Sequence, residues 1–230
     1  MDYVVARDLN SLYIILDIGF LLILGVLLYR SGRLTAFWFG IAGALLYFIV
    51  DYGGFYWLLG TREVHGADTM WFLLWLSTSY GFTNFAWIWL FLSRDKQISK
   101  WSILIIGGWM VVAFASQLFG SSFHNISIQR MTGSYHWFML LVLVVGYVYL
   151  IFREWGSPDL LKKVLYLVLI GIVVQLSWES VLLISGIRPL GMNPILFNSL
   201  LETNLGMPYL YLIHRAITER QSLEVQVEAQ

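Results

Sequence analysis

The chain has 230 residues, of which 59% are hydrophobic and 12% are charged, and its formal net charge is zero. This composition leaves no room for a soluble domain and indicates an integral membrane protein. A chain without net positive charge lacks the basic face that nucleic acid binding requires, so no nucleic acid partner is expected. The absence of cysteine excludes disulfides, thiolate nucleophiles and cysteine metal sites.

Seven apolar segments are long enough to cross a bilayer as helices, which takes about 20 residues each. They cover residues 12–29, 34–59, 71–92, 101–119, 135–152, 164–185 and 194–213. The first segment lacks the basic n-region and the small-residue cleavage pattern of a signal peptide, so we expect it to be retained. The sequence therefore predicts an all-α, multi-pass fold with one seven-helix transmembrane domain over residues 1–217 and a polar tail over residues 218–230.

The basic residues predict the orientation of this domain. Ten of the 14 Lys and Arg residues fall on one side of the predicted bundle, against four on the other side: Arg7, Arg62, Arg130 and Arg188. By the positive-inside rule, the N-terminus lies outside and the C-terminus in the cytoplasm. The membrane is the plasma membrane or the endoplasmic reticulum, depending on the organism.

Helices two and three resemble helices six and seven. Asp51 is followed by Gly60-Thr61-Arg62 and Glu179 by Gly186-Ile187-Arg188, while residues 77–82 align with residues 202–207. Because both copies start on the same side, the similarity predicts a parallel three-plus-one-plus-three repeat that can enclose a cavity near the bilayer midplane. The alternative is a coincidence between short, compositionally biased segments.

Acidic side chains inside the predicted spans are the main candidates for function, because an ionisable group in hydrocarbon costs several kcal/mol unless it lines a polar site. Asp51 lies among aromatic residues, Glu179 lies in a Trp-Glu pair, and Glu202 heads a polar cluster in the last span. Asp17 has no polar neighbour along its own helix and is interpreted as a structural partner. For each acid, the alternative is an interhelical hydrogen bond that only stabilises the bundle.

No known cofactor or metal motif accompanies these acids. The four histidines lack the i, i+4 spacing of a metal-binding helix, and no span contains a lysine that could carry retinal. We therefore expect neither a metal nor a cofactor. Aromatic rings and amides near the acids are the predicted substrate contacts, since aromatic faces stabilise a passing cation; they are Tyr52, Phe55, Tyr80, Asn84, Trp178, Asn198, Asn204 and Tyr209.

The motifs around these acids resemble a known family. Glu202, Gly206 and Tyr209-Leu210-Tyr211 in the last span, together with Asp51 and Trp178-Glu179, are similar to the small seven-helix membrane terpene cyclases of fungal meroterpenoid and indole-diterpene pathways and their bacterial relatives. That family carries a Trp-Glu pair on an early helix and an Asp in the last helix. Here the Trp-Glu pair lies in helix six, Asp and Glu have changed places, and the first helix lacks the family's stretch with Trp and Asn.

The resemblance implies a terpene cyclase without metal or cofactor. A carboxylic acid protonates an epoxide or alkene of a linear isoprenoid, aromatic rings stabilise the carbocation, and a lipophilic substrate enters from the lipid. Asp51 and Glu202 are the predicted catalytic pair, with Glu179 assisting or replacing one of them. The oligomeric state is not predicted.

Two other classes of function remain open at this stage. Small carriers share the three-plus-one-plus-three arrangement, and Asn84, Asn198 and Asn204 could bind a hydroxylated solute at the midplane. Against this, helices two and three contain no bending proline. The other alternative is a scaffold or lipophile-binding protein whose acids are structural.

Overall fold

The computed structural model describes residues 3–131, 135–189, 191, 200 and 202–228. These residues are mostly helical. The helices are α1 (Ser11–Arg30), α2 (Leu34–Phe48), α3 (Thr69–Leu92), α4 (Ile98–Phe119), α5 (Tyr135–Arg153), α6 (Leu160–Ile184) and α7 (Thr203–Glu228). A π-helical segment, Ile49–Leu58, continues α2 without a break. The strands are β1 (Tyr3–Asn10), β2 (Arg62–His65) and β3 (Asn125–Met131).

Each predicted span overlaps one of these helices. Within the described part of the chain, four helices are long and apolar enough to cross a membrane, namely Ser11–Arg30, Leu34–Leu58, Ile98–Phe119 and Leu160–Ile184. The predicted last span, 194–213, starts partly outside the described residues, and α7 itself begins at Thr203 and continues into the predicted tail. Membrane crossing by α3, α5 and α7, and the orientation, stay predictions.

The expectation of an all-α fold is wrong in one respect, because the structure contains a small antiparallel sheet. Its strand order is β1-β3-β2, with Arg7 opposite Ile128 and Arg62 opposite Arg130. Ile126 and Ile128 of β3 are buried and alternate with more exposed residues, as expected for a half-buried strand. The three strands are short and lie between helices, so hydropathy alone assigned them to loops.

Side-chain caps fix where two helices begin. The Asn10 side chain accepts a hydrogen bond from the backbone N–H of Tyr13 at the start of α1, and the Asp68 side chain accepts one from the N–H of Trp71 at the start of α3. Asn and Asp are favoured at this position because they satisfy a backbone donor that the helix leaves free. Asn10 also ends β1, so the sheet and the start of α1 share one residue.

The chain divides into two compact units. The first comprises Met1–Gly133 and Ser177–Met192, and the second comprises Ser134–Leu176 and Asn193–Gln230. In the first unit, the sheet lies where α1 and α3 begin and where α4 ends. In the second unit, α5 packs on α7, and a Cβ added to Gly146 would lie 2.7 Å from both Pro208 and Tyr209.

Glycines let α2 and α3 approach closely in the first unit. A Cβ added to Gly81 of α3 would lie 2.5 Å from the backbone oxygen of Gly43 in α2, and one added to Gly40 would lie 2.8 Å from the backbone oxygen of Phe82. Small residues at helix crossings allow this backbone contact between apolar helices. It holds the start of the π-helical segment close to the middle of α3.

Candidate functional site

Asp51 forms an ion pair with Arg62. It lies near the start of the π-helical segment, and Arg62, the first residue of β2, donates from Nε to its Oδ1 at 2.9 Å. Arg62 is almost fully buried, and its guanidinium also lies over the ring of Phe55 at 4.4 Å. The chain can turn back toward Asp51 because Gly60, between them, adopts a positive φ of 58°.

Aromatic rings are stacked along the π-helical segment. Phe48 stacks on Tyr52 with ring centroids 5.2 Å apart, and Tyr52 stacks on Tyr56 at 5.3 Å. Hydrogen bonds in a π-helix run from i to i+5, so side chains four residues apart lie nearly above one another. Tyr52 and Phe55, two predicted substrate contacts, are half-buried here.

Glu179 forms a second ion pair, with Arg188. The Arg188 Nη1 donates to Glu179 Oε2 at 2.8 Å, and the two side chains are 6% and 1% exposed. Arg188 Nε also donates to the carbonyl of Ala6 in β1 at 3.3 Å. Burial lowers the pKa of Arg188, Glu179 opposes this shift, and the positive charges of Arg7 and Arg130 add to it.

Among the described residues, Arg7 has no ion-pair partner of this kind. It projects from β1 into the first unit, is 2% exposed, and lies over the rings of Tyr80 at 5.0 Å and Trp178 at 5.8 Å. Within the described residues, its Nε and Nη1 atoms are buried and have no hydrogen-bond acceptor. An unpaired buried charge is expensive, and the two aromatic faces offset only part of that cost.

The two rings that contact Arg7 belong to a larger cluster of buried aromatic rings. The Trp178 ring lies 4.7 Å from those of both Tyr80 and Trp109, with edge-to-face geometry. Trp109 in turn lies 5.8 Å from Trp87. The rings come from α3, α4 and α6, so the Arg7 guanidinium sits at the edge of an aromatic cluster built by three helices.

Asp17 lies in the same unit, fully buried on α1. Its Oδ2 accepts a hydrogen bond from Trp75 Nε1 at 2.9 Å. The Ser79 side chain also interacts with this carboxyl group, although among the described residues no donor lies within full hydrogen-bond geometry of Oδ1. Tyr13, one turn earlier, packs edge-to-face on Trp75 at 5.9 Å and interacts electrostatically with Asp17, Arg7 and Tyr80. Asp17, Tyr13 and Arg7 therefore belong to one buried site.

Helix α3 adds buried polar atoms on two of its faces, Ser77 and Asn84 on one and Ser79 and Thr83 on the other. Four of its side chains are buried and have polar atoms without hydrogen-bond partners among the described residues: Ser77, Ser79, Thr83 and Asn84. For Asn84, a predicted substrate contact, this holds for both the amide nitrogen and the amide oxygen. Buried polar groups are nearly always paired in folded proteins, so these side chains are candidates for contact with water or a ligand.

Glu202 lies in the second unit, in a separate polar cluster. It accepts a hydrogen bond from Gln175 Nε2 at 3.1 Å, and Gln175 Oε1 accepts one from the Thr203 hydroxyl at 2.7 Å. The Tyr147 hydroxyl donates to Asn204 at 3.5 Å. The sequence predicts that Gln175 and Glu179 share one face of their helix. Their partners differ, because Gln175 contacts residues of the last span and Glu179 contacts Arg188.

Two of the predicted site residues remain, Tyr209 and Asn198. The hydroxyl of Tyr209 donates to the carbonyl of Val142 at 2.8 Å, so it ties α7 to α5. Asn198 lies outside the described residues. The convergence of Asp51, Glu179 and Glu202 in one chamber stays a prediction. Among the described ranges, no group of three or more His, Asp or Glu side chains could hold a metal ion.

The sequence predicts Arg7 only as a charge on the outer side and Asp17 only as a structural partner. The position of Arg7 four residues before the first helix was the available signal, since an arginine so close to a span can fold back on it. The partner of Asp17 comes from α3, 58 positions along the chain, so no local pattern could reveal it. Comparison of this chain with protein-family models, with curated proteins and with solved structures gives no match.

Proposed function

We propose that this protein is a membrane enzyme that cyclises a linear isoprenoid by acid catalysis, with the first unit as its catalytic part. The observation that carries the proposal is the environment of Asp17: a fully buried carboxyl group hydrogen-bonded to a tryptophan, next to a cluster of aromatic rings. Carboxyl groups in apolar sites act as general acids in other enzymes. The resemblance to the membrane terpene cyclases supports the same reaction class.

The ion pairs decide which acid we assign as the proton donor. Asp51 and Glu179 each contact a buried arginine at hydrogen-bond distance. In the first unit, this leaves Asp17 as the buried carboxyl whose described hydrogen bond comes from an uncharged donor. The catalytic roles predicted for Asp51, Glu179 and Glu202 are therefore tested beside it.

The surrounding side chains suit the later steps of a cyclisation. Once a proton has reached an epoxide or alkene, positive charge moves along the folding chain, and electron-rich faces such as those of Tyr80, Trp109 and Trp178 stabilise it. The hydroxyls of Ser79 and Thr83 and the amide of Asn84 offer sites for ordered water. Such water would accept the proton that the final carbocation loses and pass it back to the Asp17 carboxylate. In this proposal a lipophilic substrate enters from the bilayer, past exposed apolar side chains of α1 such as Ile15 and Leu22.

The test uses membranes that contain the protein, incubated with farnesyl- and geranylgeranyl-derived epoxides, with products analysed by mass spectrometry. We expect cyclised product from the wild type and none above background from Asp17→Asn. Asp159→Asn, which changes an exposed aspartate before α6, is the matched control and should keep full activity. Asp51→Asn, Glu179→Gln and Glu202→Gln are assayed in the same series.

The outcomes separate the assignments. Full turnover in Asp17→Asn together with loss in Asp51→Asn and Glu202→Gln would move the acid to the pair predicted from the sequence. No product from any epoxide or alkene substrate by folded wild-type protein would contradict the cyclase proposal itself.

The buried polar atoms on α3 favour one other function, transport of a hydroxylated solute. Ser77 and Asn84 are seven residues apart, or about 10 Å along the helix axis, so their polar atoms could line a polar route. Uptake of radiolabelled sugars into proteoliposomes tests this function. Uptake that Asn84→Ala abolishes, in protein that forms no cyclised product, would favour the carrier.

A further inference from the structure

Three buried side chains of the first unit carry N–H groups that have no acceptor among the described residues. They are Arg7 of β1, Trp109 of α4 and Trp178 of α6, and each is at most 2% exposed. The unpaired atoms are Nε and Nη1 of Arg7 and the indole Nε1 of both tryptophans. Buried donors are nearly always paired in folded proteins, because burial removes their hydrogen bonds to water.

These three side chains are neighbours in the folded chain. The Arg7 guanidinium lies 5.8 Å from the ring centroid of Trp178, and the ring centroids of Trp178 and Trp109 are 4.7 Å apart. We call Arg7, Trp109 and Trp178 the donor cluster. Because ring contacts connect its members directly, the four unpaired nitrogen atoms lie in one continuous part of the interior.

The donor cluster cannot satisfy its own hydrogen-bonding groups. The N–H groups of arginine and tryptophan only donate, so these side chains form no hydrogen bonds with one another. The rings of Tyr80 and Trp178 stabilise the charge of Arg7. They do not replace an oxygen acceptor, because guanidinium N–H groups point outward in the plane of the group. What this interior needs is therefore an acceptor.

We infer that the donor cluster binds the oxygen head group of a lipophile, a carbonyl or carboxylate at the end of an apolar chain, with Arg7 and Trp178 as hydrogen-bond donors. The oxygen atoms of both head groups accept hydrogen bonds and donate none, which is the complement of the donor cluster. The buried rings of Trp109 and Trp87, 5.8 Å apart, suit the apolar chain. The inference goes beyond the proposed cyclisation, because binding is measured without turnover.

The protonation state of Asp17 determines which of the two head groups binds more tightly. Asp17 is fully buried in the same unit, its described hydrogen bond comes from Trp75, and Glu179 already pairs with Arg188. A protonated Asp17, which the proposed cyclisation requires, leaves the charge of Arg7 to the ligand and favours a carboxylate. An ionised Asp17 would offset that charge and favour a neutral carbonyl.

The experiment titrates purified full-length protein in dodecyl maltoside micelles with three probes of similar chain length, which are methyl undecyl ketone, tridecanoate and tridecane. Calorimetry measures their affinities, and infrared difference spectra follow the carbonyl stretch of the ketone, which moves to lower wavenumber when its oxygen accepts a hydrogen bond. We expect at least one of the two oxygen-containing probes to bind saturably and tridecane not to do so.

Variants locate the binding. Arg7→Met removes every donor of the side chain and leaves an apolar group that suits a buried position; it should weaken the affinity at least about tenfold. Trp178→Phe keeps an aromatic ring, removes the indole N–H and should weaken binding as well. Arg30→Met and Trp137→Phe change exposed side chains and are the matched controls, which should keep the wild-type affinity.

Each outcome supports or overturns the site. Tighter binding of tridecanoate assigns a carboxylate, and tighter binding of the ketone assigns a neutral carbonyl. Failure of both probes to bind folded wild-type protein would mean that water alone satisfies the donor cluster and would overturn the proposal, as would equal binding of tridecane. Unchanged affinity in Arg7→Met and Trp178→Phe would overturn it too, and if Arg7→Met does not fold, Trp178→Phe decides. None of these results depends on cyclised product, so failure of one proposal leaves the other testable.

Discussion

The buried ion pair of Glu179 and Arg188 gives the sharpest prediction about stability. At the observed separation of 2.8 Å, the two charges attract by about 6 kcal/mol at an effective dielectric constant of 20. Burial of both charges offsets much of this attraction, but removal of one partner leaves the other uncompensated, at a cost of roughly 3–5 kcal/mol. We therefore expect Glu179→Gln to lower the free energy of unfolding by about that amount.

The two single variants should lose different amounts of unfolding free energy. In Glu179→Gln, Arg188 keeps its charge beside Arg7 and Arg130, so repulsion adds to the loss of the pair. In Arg188→Gln, Glu179 still has those two arginines nearby, and the loss should be smaller. The double variant Glu179→Gln/Arg188→Gln should cost less than the sum of the single variants, because it leaves no isolated charge from the pair.

The assay is reversible unfolding in mixed micelles of dodecyl maltoside and dodecyl sulfate, followed by far-ultraviolet circular dichroism. Glu63→Gln is the matched control, since Glu63 is half exposed and its interaction with His65 spans 3.5 Å; it should stay within about 0.5 kcal/mol of the wild type. A loss below about 1 kcal/mol in Glu179→Gln, or a larger loss in Arg188→Gln, would refute this reasoning.

Two further measurements test the fold and the charges. Gly81→Ala should destabilise by about 1–3 kcal/mol in the same assay, because its Cβ would overlap the backbone of Gly43, whereas Gly107→Ala, with open space around its Cβ, should be neutral or stabilising. The Arg33 guanidinium holds the pKa of Asp95 below its usual value. This carboxylate therefore stabilises the fold above pH ~4, and the benefit is lost as the pH falls through the lowered pKa. The difference in unfolding free energy between wild type and Asp95→Asn, about 1 kcal/mol at pH 7, should shrink below pH ~4, and a constant difference would contradict this reasoning.

The helices could be predicted from the sequence because long apolar runs have few alternatives to a helix. The three strands could not be predicted in this way, since each lies in a short segment between helices. A signal was nevertheless present in β3, where Ile126 and Ile128 alternate with Ser127 and Gln129. Period-two alternation in a loop between two spans indicates a strand even when the segment is short.

The candidate site was predictable in its acids but not in their partners. Asp51 and Glu179 stand out as charges in apolar segments. Their partners Arg62 and Arg188 lie 11 and nine positions away, not at the i, i+3 or i, i+4 spacing at which side chains of one helix meet. Both contacts require the chain to leave its helix and turn back. The site around Asp17 depends on Trp75 from another helix, and the burial of Arg7 depends on the sheet, so both follow from tertiary structure alone.

The two ion pairs also bear on the predicted internal repeat. In each ion pair, the acid lies in the last third of its helix and the chain then turns at a glycine of positive φ, which is 58° at Gly60 and 77° at Gly186. The arginine that pairs with the acid follows two residues after that glycine. One arginine begins β2, at one edge of the sheet, and the other donates to Ala6 in β1, at the opposite edge. A duplicated unit would bring one arginine with its own acid to each edge, which fits this geometry. It would not supply Arg7 or Arg130, because β1 and β3 lie outside both copies.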